Sequence, residues 1–212
     1  MAYGCYWGWT QPHVVDILPL QPAGDYLVSL EAHIMSKCPD ARDCLEQLIL
    51  PAMEQVADLV NFTLSFIGTP TEHNDGVACM HGPAECLGNI IELCAQKLYP
   101  DPKTFLGFTM CMSKDYPQIP QRSLIEDCAL EHAIDFEALN KCASDDLDGT
   151  GASLLRDSVK RSAEAGVTMS CTVRLDEKIY CIRDDGEWKS CPTGAGVDTL
   201  VDEVKKLRSG SV

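Results

Sequence analysis

The sequence predicts an α/β fold, rich in disulfides, in which a helical insertion separates two halves of one sheet. Three observations lead there. A strand–helix–strand pattern occupies the first third of the chain, between Tyr26 and Ile67. A Pro-punctuated helical block follows, and beyond it come a helix, an alternating hairpin and a last helix. Twelve cysteines are spread along the 212 residues, and none forms the paired C-x-x-C knuckles of a zinc site.

The elements can be justified in order. Residues 1–24 are aromatic at first and then carry Pro and Gly, which reads as an irregular arm with a short strand at Val14–Leu18. Tyr26–Ile34 mixes apolar and β-branched residues and ends at a polar loop, as a strand does. From Pro39 to about Leu59, Leu45, Leu48, Ile49, Met53, Val56 and Leu59 recur at helical spacing, with a kink expected at Pro51. Phe62–Ile67 is a second strand, and a right-handed crossover would make it parallel to the first. Helices are expected over 84–99, about 101–113 and Leu124–Cys142, broken at Pro117 and Pro120. The acidic run Asp145-Asp-Leu-Asp-Gly lacks calcium-loop spacing and reads as a solvated loop. Ser153–Ala165 is helical and closes at Gly166. Thr168–Val173 and Lys178–Ile182 alternate as a hairpin, and Val197–Leu207 is an amphipathic helix. This order is the thioredoxin-like arrangement with a helical insertion at about 84–142, within one domain over 25–208.

Composition narrows the function. A net charge of −15 argues against nucleic acid and anionic membrane surfaces as partners, since both require clustered Lys and Arg. No uninterrupted apolar run of about 18 residues is long enough to span a membrane. So many thiols without a zinc spacing suit the lumen of an oxidising compartment, where disulfides persist. The first residues, Met1-Ala-Tyr-Gly-Cys5, do not form a secretory signal, so a targeting segment is taken to have been removed. Neither a cofactor nor a metal is called for.

The sharpest motif is Cys79-Met-His-Gly-Pro-Ala-Glu-Cys-Leu-Gly-Asn-Ile-Ile-Glu-Leu-Cys94. It resembles the signature of the gamma-interferon-inducible lysosomal thiol reductase family, C-Q-H-G-x-x-E-C-x-x-N-x-x-x-x-C. Cys79, His81, Gly82, Glu85, Cys86, Asn89 and Cys94 fall on it, and Met80 stands in place of Gln. Asn61-Phe-Thr-Leu, Cys111-Met112 and Cys128-Ala129 are also similar to that family. The resemblance covers roughly residues 26–192. It implies a thioredoxin-like fold, a lysosomal or secreted setting and reduction of protein disulfides.

The resemblance places the redox site after the first strand, at Lys37-Cys38-Pro-Asp-Ala-Arg-Asp-Cys44. The family has C-x-x-C there; this chain has Cys38 and then Ala41. A dithiol enzyme attacks with the first thiolate and resolves the mixed disulfide with the second, a step that Ala41 cannot perform. Two arrangements are open. A helix starting at Pro39 would make Cys38 its cap and favour the thiolate, with Cys44 about 240° around and ~9 Å along, out of reach. A helix starting later, with Asp43-Cys-Leu-Glu46 as a capping box, would leave 38–44 a loop in which Cys38 and Cys44 could bridge. Cys38 is the candidate nucleophile and Cys44 a weaker resolving or bridging partner.

The other cysteines are disulfide candidates: Cys79, Cys86, Cys94, Cys111, Cys128, Cys142, Cys171, Cys181 and Cys191. Cys86 and Cys94 are two helical turns apart, ~12 Å, and must reach other segments. His81 is open to a role as metal ligand or base, and reads first as a histidine in a disulfide-pinned turn. Thioredoxin-like folds carry a cis-proline before the strand facing the active cysteine; here Met169 is expected in that place. Cys171 and Cys181 oppose each other across the expected hairpin with a three-residue turn. Asn61-Phe-Thr is an N-glycosylation sequon.

Taken together, these residues point to a thiol–disulfide oxidoreductase of monothiol type in a lysosome, vacuole or secreted setting. Its partners would be disulfide-containing proteins and an external thiol. The rival reading is an inactive, disulfide-stabilised thioredoxin-like binding protein. A weaker third reading is a metal site at Cys38 and Cys171.

Overall fold

The computed structural model describes residues 26–72, 76–144 and 150–210. The expected strand at Val14–Leu18, Cys5 and the acidic run at 145–149 lie outside them. Strand β1, Val28–Ile34, pairs in parallel with β2, Val60–Phe66, in the register Val28↔Val60 to Ile34↔Phe66. The segment between them is helical. It comprises α1 (Pro39–Cys44), a π-helical turn (Leu45–Ile49) and α2 (Leu50–Val56). The expected kink at Pro51 is thus taken up one turn earlier, where the wider π turn accommodates a proline that offers no N–H to the helix.

A five-stranded sheet carries the fold. Its order is β2-β1-β5-β6-β7, with β5 at Thr172–Leu175, β6 at Lys178–Asp184 and β7 at Glu187–Lys189. Only the β1–β2 pair is parallel. In β1 both parities are buried: Leu30, Ala32 and Ile34 on one face, Glu31 and His33 on the other. A strand of that kind is covered on both sides. A separate two-stranded ribbon, β3 (Thr69–Pro70) with β4 (Val77–Ala78), went unseen in the sequence, as did β7.

The helical block contains α3 (Pro83–Leu98), α4 (Pro102–Lys114), a 3-10 turn (Tyr116–Gln118), α5 (Arg122–Glu131) and α6 (Phe136–Ser144). The expected single helix over Leu124–Cys142 is therefore two. Ala133 has a positive φ of 54°, which ends α5, and Asp135 Oδ1 accepts the N–H groups of Glu137 and Ala138 to start α6. Two disulfides tie the block together: Cys94–Cys142, with a Cα separation of 5.9 Å, and Cys111–Cys128, at 5.6 Å. Helix α7, Thr150–Glu164, packs on α3 and on β2, and Gly166 follows it with φ 68°. The last helix, α8 (Val197–Arg208), packs on α2.

At the outer edge of the sheet, α7 supplies two hydroxyls to the end of β2. The Phe66 N–H donates to Ser158 Oγ at 2.7 Å, and Ser162 Oγ donates to the Phe66 carbonyl at 2.9 Å.

The hairpin register differs from expectation. Asp176 and Glu177 both adopt positive φ, 48° and 63°, and form a two-residue turn. Cys181 then faces Val173, while Cys171 exchanges both backbone hydrogen bonds with Arg183. The expected Cys171–Cys181 opposition does not occur. Cys181 bonds Cys191, and Cys171 bonds Cys44.

Candidate active site

The turn after β1 sets the site. The Cys38 N–H donates to the Met35 carbonyl at 3.0 Å, and Pro39 opens α1 at the next residue, so the helix-start arrangement is the one adopted. Pro39 suits this place because its missing N–H would have had no partner in the first turn. The Cys38 carbonyl accepts from Ala41 and Arg42. The later capping box at Asp43 is not used, and a Cys38–Cys44 bridge is not formed. Cys38 is the free cysteine of the described residues and is partly exposed.

Cys44 and Cys171 are both fully buried and form a disulfide with a Cα separation of 6.2 Å. Their partnership removes the third sequence reading, because Cys171 has no thiolate to offer a metal beside Cys38. The residue before Cys171 touches the free thiol: Ser170 O lies 3.8 Å from Cys38 Sγ. Ser170 is itself fixed, its hydroxyl oxygen accepting the Met35 N–H at 2.9 Å. The Ser170–Cys171 peptide is cis, so Cys171 rather than Met169 occupies the place expected for the cis-proline.

The signature segment braces this turn from behind. Cys79 and Cys86 form a disulfide, with a Cα separation of 5.5 Å, around a loop in which Gly82 takes φ 83°. Asn89 Oδ1 accepts the Ser36 N–H at 3.0 Å, and the Ser36 hydroxyl donates to the Glu85 carbonyl at 3.3 Å. A side chain at Gly88 would meet Ser36 Oγ at 2.7 Å, so the close approach of α3 to the turn needs glycine. His81 pairs with the buried carboxylate of Glu85, which also accepts the His81 N–H. His81 thus stays within its own turn. The bracing roles of Ser36 and Asn89 escaped sequence reading; the fixed Asn of the signature was the available signal.

Charges around Cys38 are engaged elsewhere. Lys37 Nζ donates to the Pro117 carbonyl at 2.9 Å. Asp40 accepts the N–H groups of Asp185 and Gly186 at 3.1 and 2.9 Å, which docks the β6–β7 turn on α1. Asp43 lies 2.7 Å from Arg42 and 3.2 Å from Arg183. Burial alone would raise its pKa, but hydrogen bonds and charge from these two arginines hold it below the ordinary aspartate value. Met35, Ile67 and Val167 form a small apolar cluster against Cys38, and with Gly68, Thr168 and Met80 they line a cleft of about 510 Å³.

The remaining candidates stand apart from this site. Asn61 is exposed on β2. Among the described residues, Cys111, Glu131 and His132 bring potential ligand atoms within 4.8 Å of one another, but the Cys111 sulfur is bonded to Cys128. No helix of the described residues is long and apolar enough to cross a membrane.

Solved structures with the same architecture include BdbD from Bacillus subtilis. Its TM-score is 0.58 at 17% identity, over 86% of this chain and 88% of that one. MdbA, a thiol-disulfide oxidoreductase from Corynebacterium diphtheriae, gives 0.57 at 14%, over 87% and 86%. These likenesses show the thioredoxin-like fold. Among curated relatives, a gamma-interferon-inducible lysosomal thiol reductase of Carassius auratus is 32% identical over 74 residues, 33% of this chain and 30% of the relative. The gamma-interferon-responsive lysosomal thiol protein of Arabidopsis thaliana is 27% identical over 126 residues, 57% of this chain and 49% of the relative. GILT-like protein 1 of Drosophila melanogaster is 27% identical over 133 residues, 55% and 53%. The chain therefore spans about half, or less, of the length of these relatives. The sequence model of the gamma interferon inducible lysosomal thiol reductase family matches residues 29–132, the stretch that holds β1, the Cys38 turn and the complete Cys79–Cys94 signature, and the chain belongs to that family.

Proposed function

We propose that this protein is a thiol–disulfide oxidoreductase that reduces disulfides of protein substrates in a lysosomal, vacuolar or secreted setting, with Cys38 as its nucleophile. One observation carries the reading: Cys38 is free and partly exposed at the head of α1, while ten other cysteines are bonded. A thiolate at this point can attack a substrate disulfide, leaving a mixed disulfide on Cys38 and releasing one substrate thiol. The apolar cleft beside it suits the side chains that flank a substrate cysteine. Ala41 offers no second thiol, so steady turnover draws on an external monothiol. Residues 25–208 act as one unit in this reading, with the helical block bracing the Cys38 turn through α3.

The test is reduction of insulin by wild type, Cys38→Ser and Cys44→Ser with free cysteine supplied as reductant. Cys38→Ser should fall to the uncatalysed rate, and Cys44→Ser should keep activity. The buried Cys44–Cys171 bridge and Ala41 favour a second reading, an inactive binding protein of the same fold. Full activity in Cys38→Ser, or wild type no faster than the uncatalysed control, would select it.

A further inference from the structure

We propose that Cys171 is the resolving thiol of this chain and that Cys38 is the outward port of the buried Cys44–Cys171 pair. The inference rests on Cys38 being the nucleophile and adds how its mixed disulfide is cleared.

The placement of three cysteines carries it. Cys38, Ala41 and Cys44 follow one another along α1 at three-residue steps, which keeps them on one stripe about 120° wide. Ala41 and Cys44 are fully buried on that stripe. Opposite it runs Ser170-Cys171. The Ser170 carbonyl touches Cys38 Sγ at 3.8 Å, and Cys171, the next residue, is bonded to Cys44. The Cys171 backbone is pinned by two hydrogen bonds to Arg183, at 2.9 and 2.8 Å, and Ser170 is held by Met35. Cys171 is therefore fixed between the two ends of the stripe, with the free thiol on one side and its present partner on the other. The second thiol that Ala41 cannot supply comes from the residue just before β5.

The chemistry balances. With Cys44 and Cys171 reduced, Cys38 attacks a substrate disulfide and releases the first substrate thiol. The Cys171 thiolate attacks the Cys38 sulfur of the mixed disulfide, forms Cys38–Cys171 and releases the second substrate thiol. The Cys44 thiolate then attacks Cys171, forms Cys44–Cys171 and returns Cys38 as a thiol. One substrate disulfide gains two electrons, and Cys44 and Cys171 lose them. The end state, a free Cys38 beside a Cys44–Cys171 bond, is the state of the structure. Recharging runs the exchange backwards. Cys38 opens the buried bond, and two equivalents of a low-molecular-weight monothiol reduce the resulting Cys38–Cys171 pair, leaving as their own disulfide. Because an external thiol can also clear Cys38 directly, Cys44 is dispensable when monothiol is abundant.

The test uses Cys44→Ser and Cys171→Ser, each lacking the same bridge, beside wild type. Each is given one equivalent of glutathione disulfide and followed by glutathione release and peptide mapping without reduction. Cys44→Ser should release two glutathiones and end with a Cys38–Cys171 bond. Cys171→Ser, and wild type with its bridge intact, should release one and keep glutathione on Cys38. A glutathione adduct on Cys38 that lasts as long in Cys44→Ser as in Cys171→Ser overturns the resolving role and leaves Cys38 as the nucleophile. Absence of any Cys38 adduct in all three proteins overturns the nucleophile reading itself. A second measurement covers failure of either variant to fold: alkylation of Cys44 in wild type and Cys38→Ser exposed to free cysteine. Opening of the buried bond should be at least roughly tenfold slower without Cys38. Equal rates overturn the port.

Discussion

Glu31 in the sheet and Glu92 in the helical block are both removed from water, yet they are handled in opposite ways. Glu31, 2% exposed, sits 2.9 Å from Arg161, 3.1 Å from Arg174 and 3.0 Å from His33. Burial by itself would raise its pKa, but the two guanidinium groups overcome that and hold it below the ordinary glutamate value. Glu92, fully buried on α3, has no hydrogen-bond partner on either carboxyl oxygen. Burial, with the neighbouring charge of Glu85 adding to it, pushes its pKa well above the ordinary value. The surroundings of one carboxyl favour its charged form and those of the other favour its neutral form. The lesson is that burial alone does not decide the state of an acid; the partners that the fold delivers do.

Three experiments sharpen or break this contrast. The largest effect is expected from Glu31→Gln, which leaves the mostly covered Arg174 without its counter-charge inside the fold. Urea denaturation at neutral pH should show a loss of about 3–5 kcal/mol. That stability belongs to the ionised carboxylate. It is present at neutral pH and is lost as pH falls through the depressed folded pKa, so the gap between variant and wild type should close in acid. A loss under ~1 kcal/mol would mean that Arg161 and Arg174 find other partners.

Glu92→Gln should act with the opposite sign. The raised folded pKa means that Glu92 contributes stability below the carboxyl pKa of the unfolded chain, lost as pH rises through the folded value. Replacing it with a neutral amide removes that loss, so the variant should gain stability over wild type as pH rises and differ little from it in acid. Thermal melts across pH would show it; a variant destabilised at neutral pH would mean that Glu92 is ionised and paired in the fold.

The smallest effect concerns His33, which is fully buried between Glu31 and Ser162, with its Nδ1 2.9 Å from Ser162 Oγ. Burial lowers its pKa, and Glu31 offsets this only in part. The unfolded chain then takes up a proton near pH 6.5 before the folded one does, so stability should fall by roughly 1 kcal/mol as pH drops below that value. An NMR titration of the imidazole resonances checks the sign. A His33 that titrates above the ordinary value would show Glu31 outweighing burial.

Much of this architecture was legible from local pattern. The β1–helix–β2 unit, the Pro-broken helical block and the closing helix are written in apolar spacing, which short-range physics reads well. The Cys79–Cys94 motif carried the family. What failed depended on contacts distant in sequence or on a single φ. The positive φ of Asp176 and Glu177 shortened a turn, and a register shift between Val173 and Arg174 added to it; together they moved Cys171 away from Cys181. Ala133 did the same for the helix expected through residue 142. The Cys44–Cys171 bond joins residues 127 apart, brought together by the β1–β5 pairing and the docking of α1 on β6. Met169 is expected in the cis position because the segment Gly166–Val173 has no proline to mark the place.

The serine pair of α7 has a consequence outside the molecule. A sheet edge offers rows of unpaired donors and acceptors, and any extended chain can continue the ladder there. At the end of β2 both groups of Phe66 are already taken, by Ser158 and Ser162. A partly unfolded polypeptide, which has backbone groups to spare, finds that stretch closed. The sheet is thus shielded from growing by strand addition at the edge beside Phe66, and two hydroxyls about one helical turn apart on α7 suffice to do it.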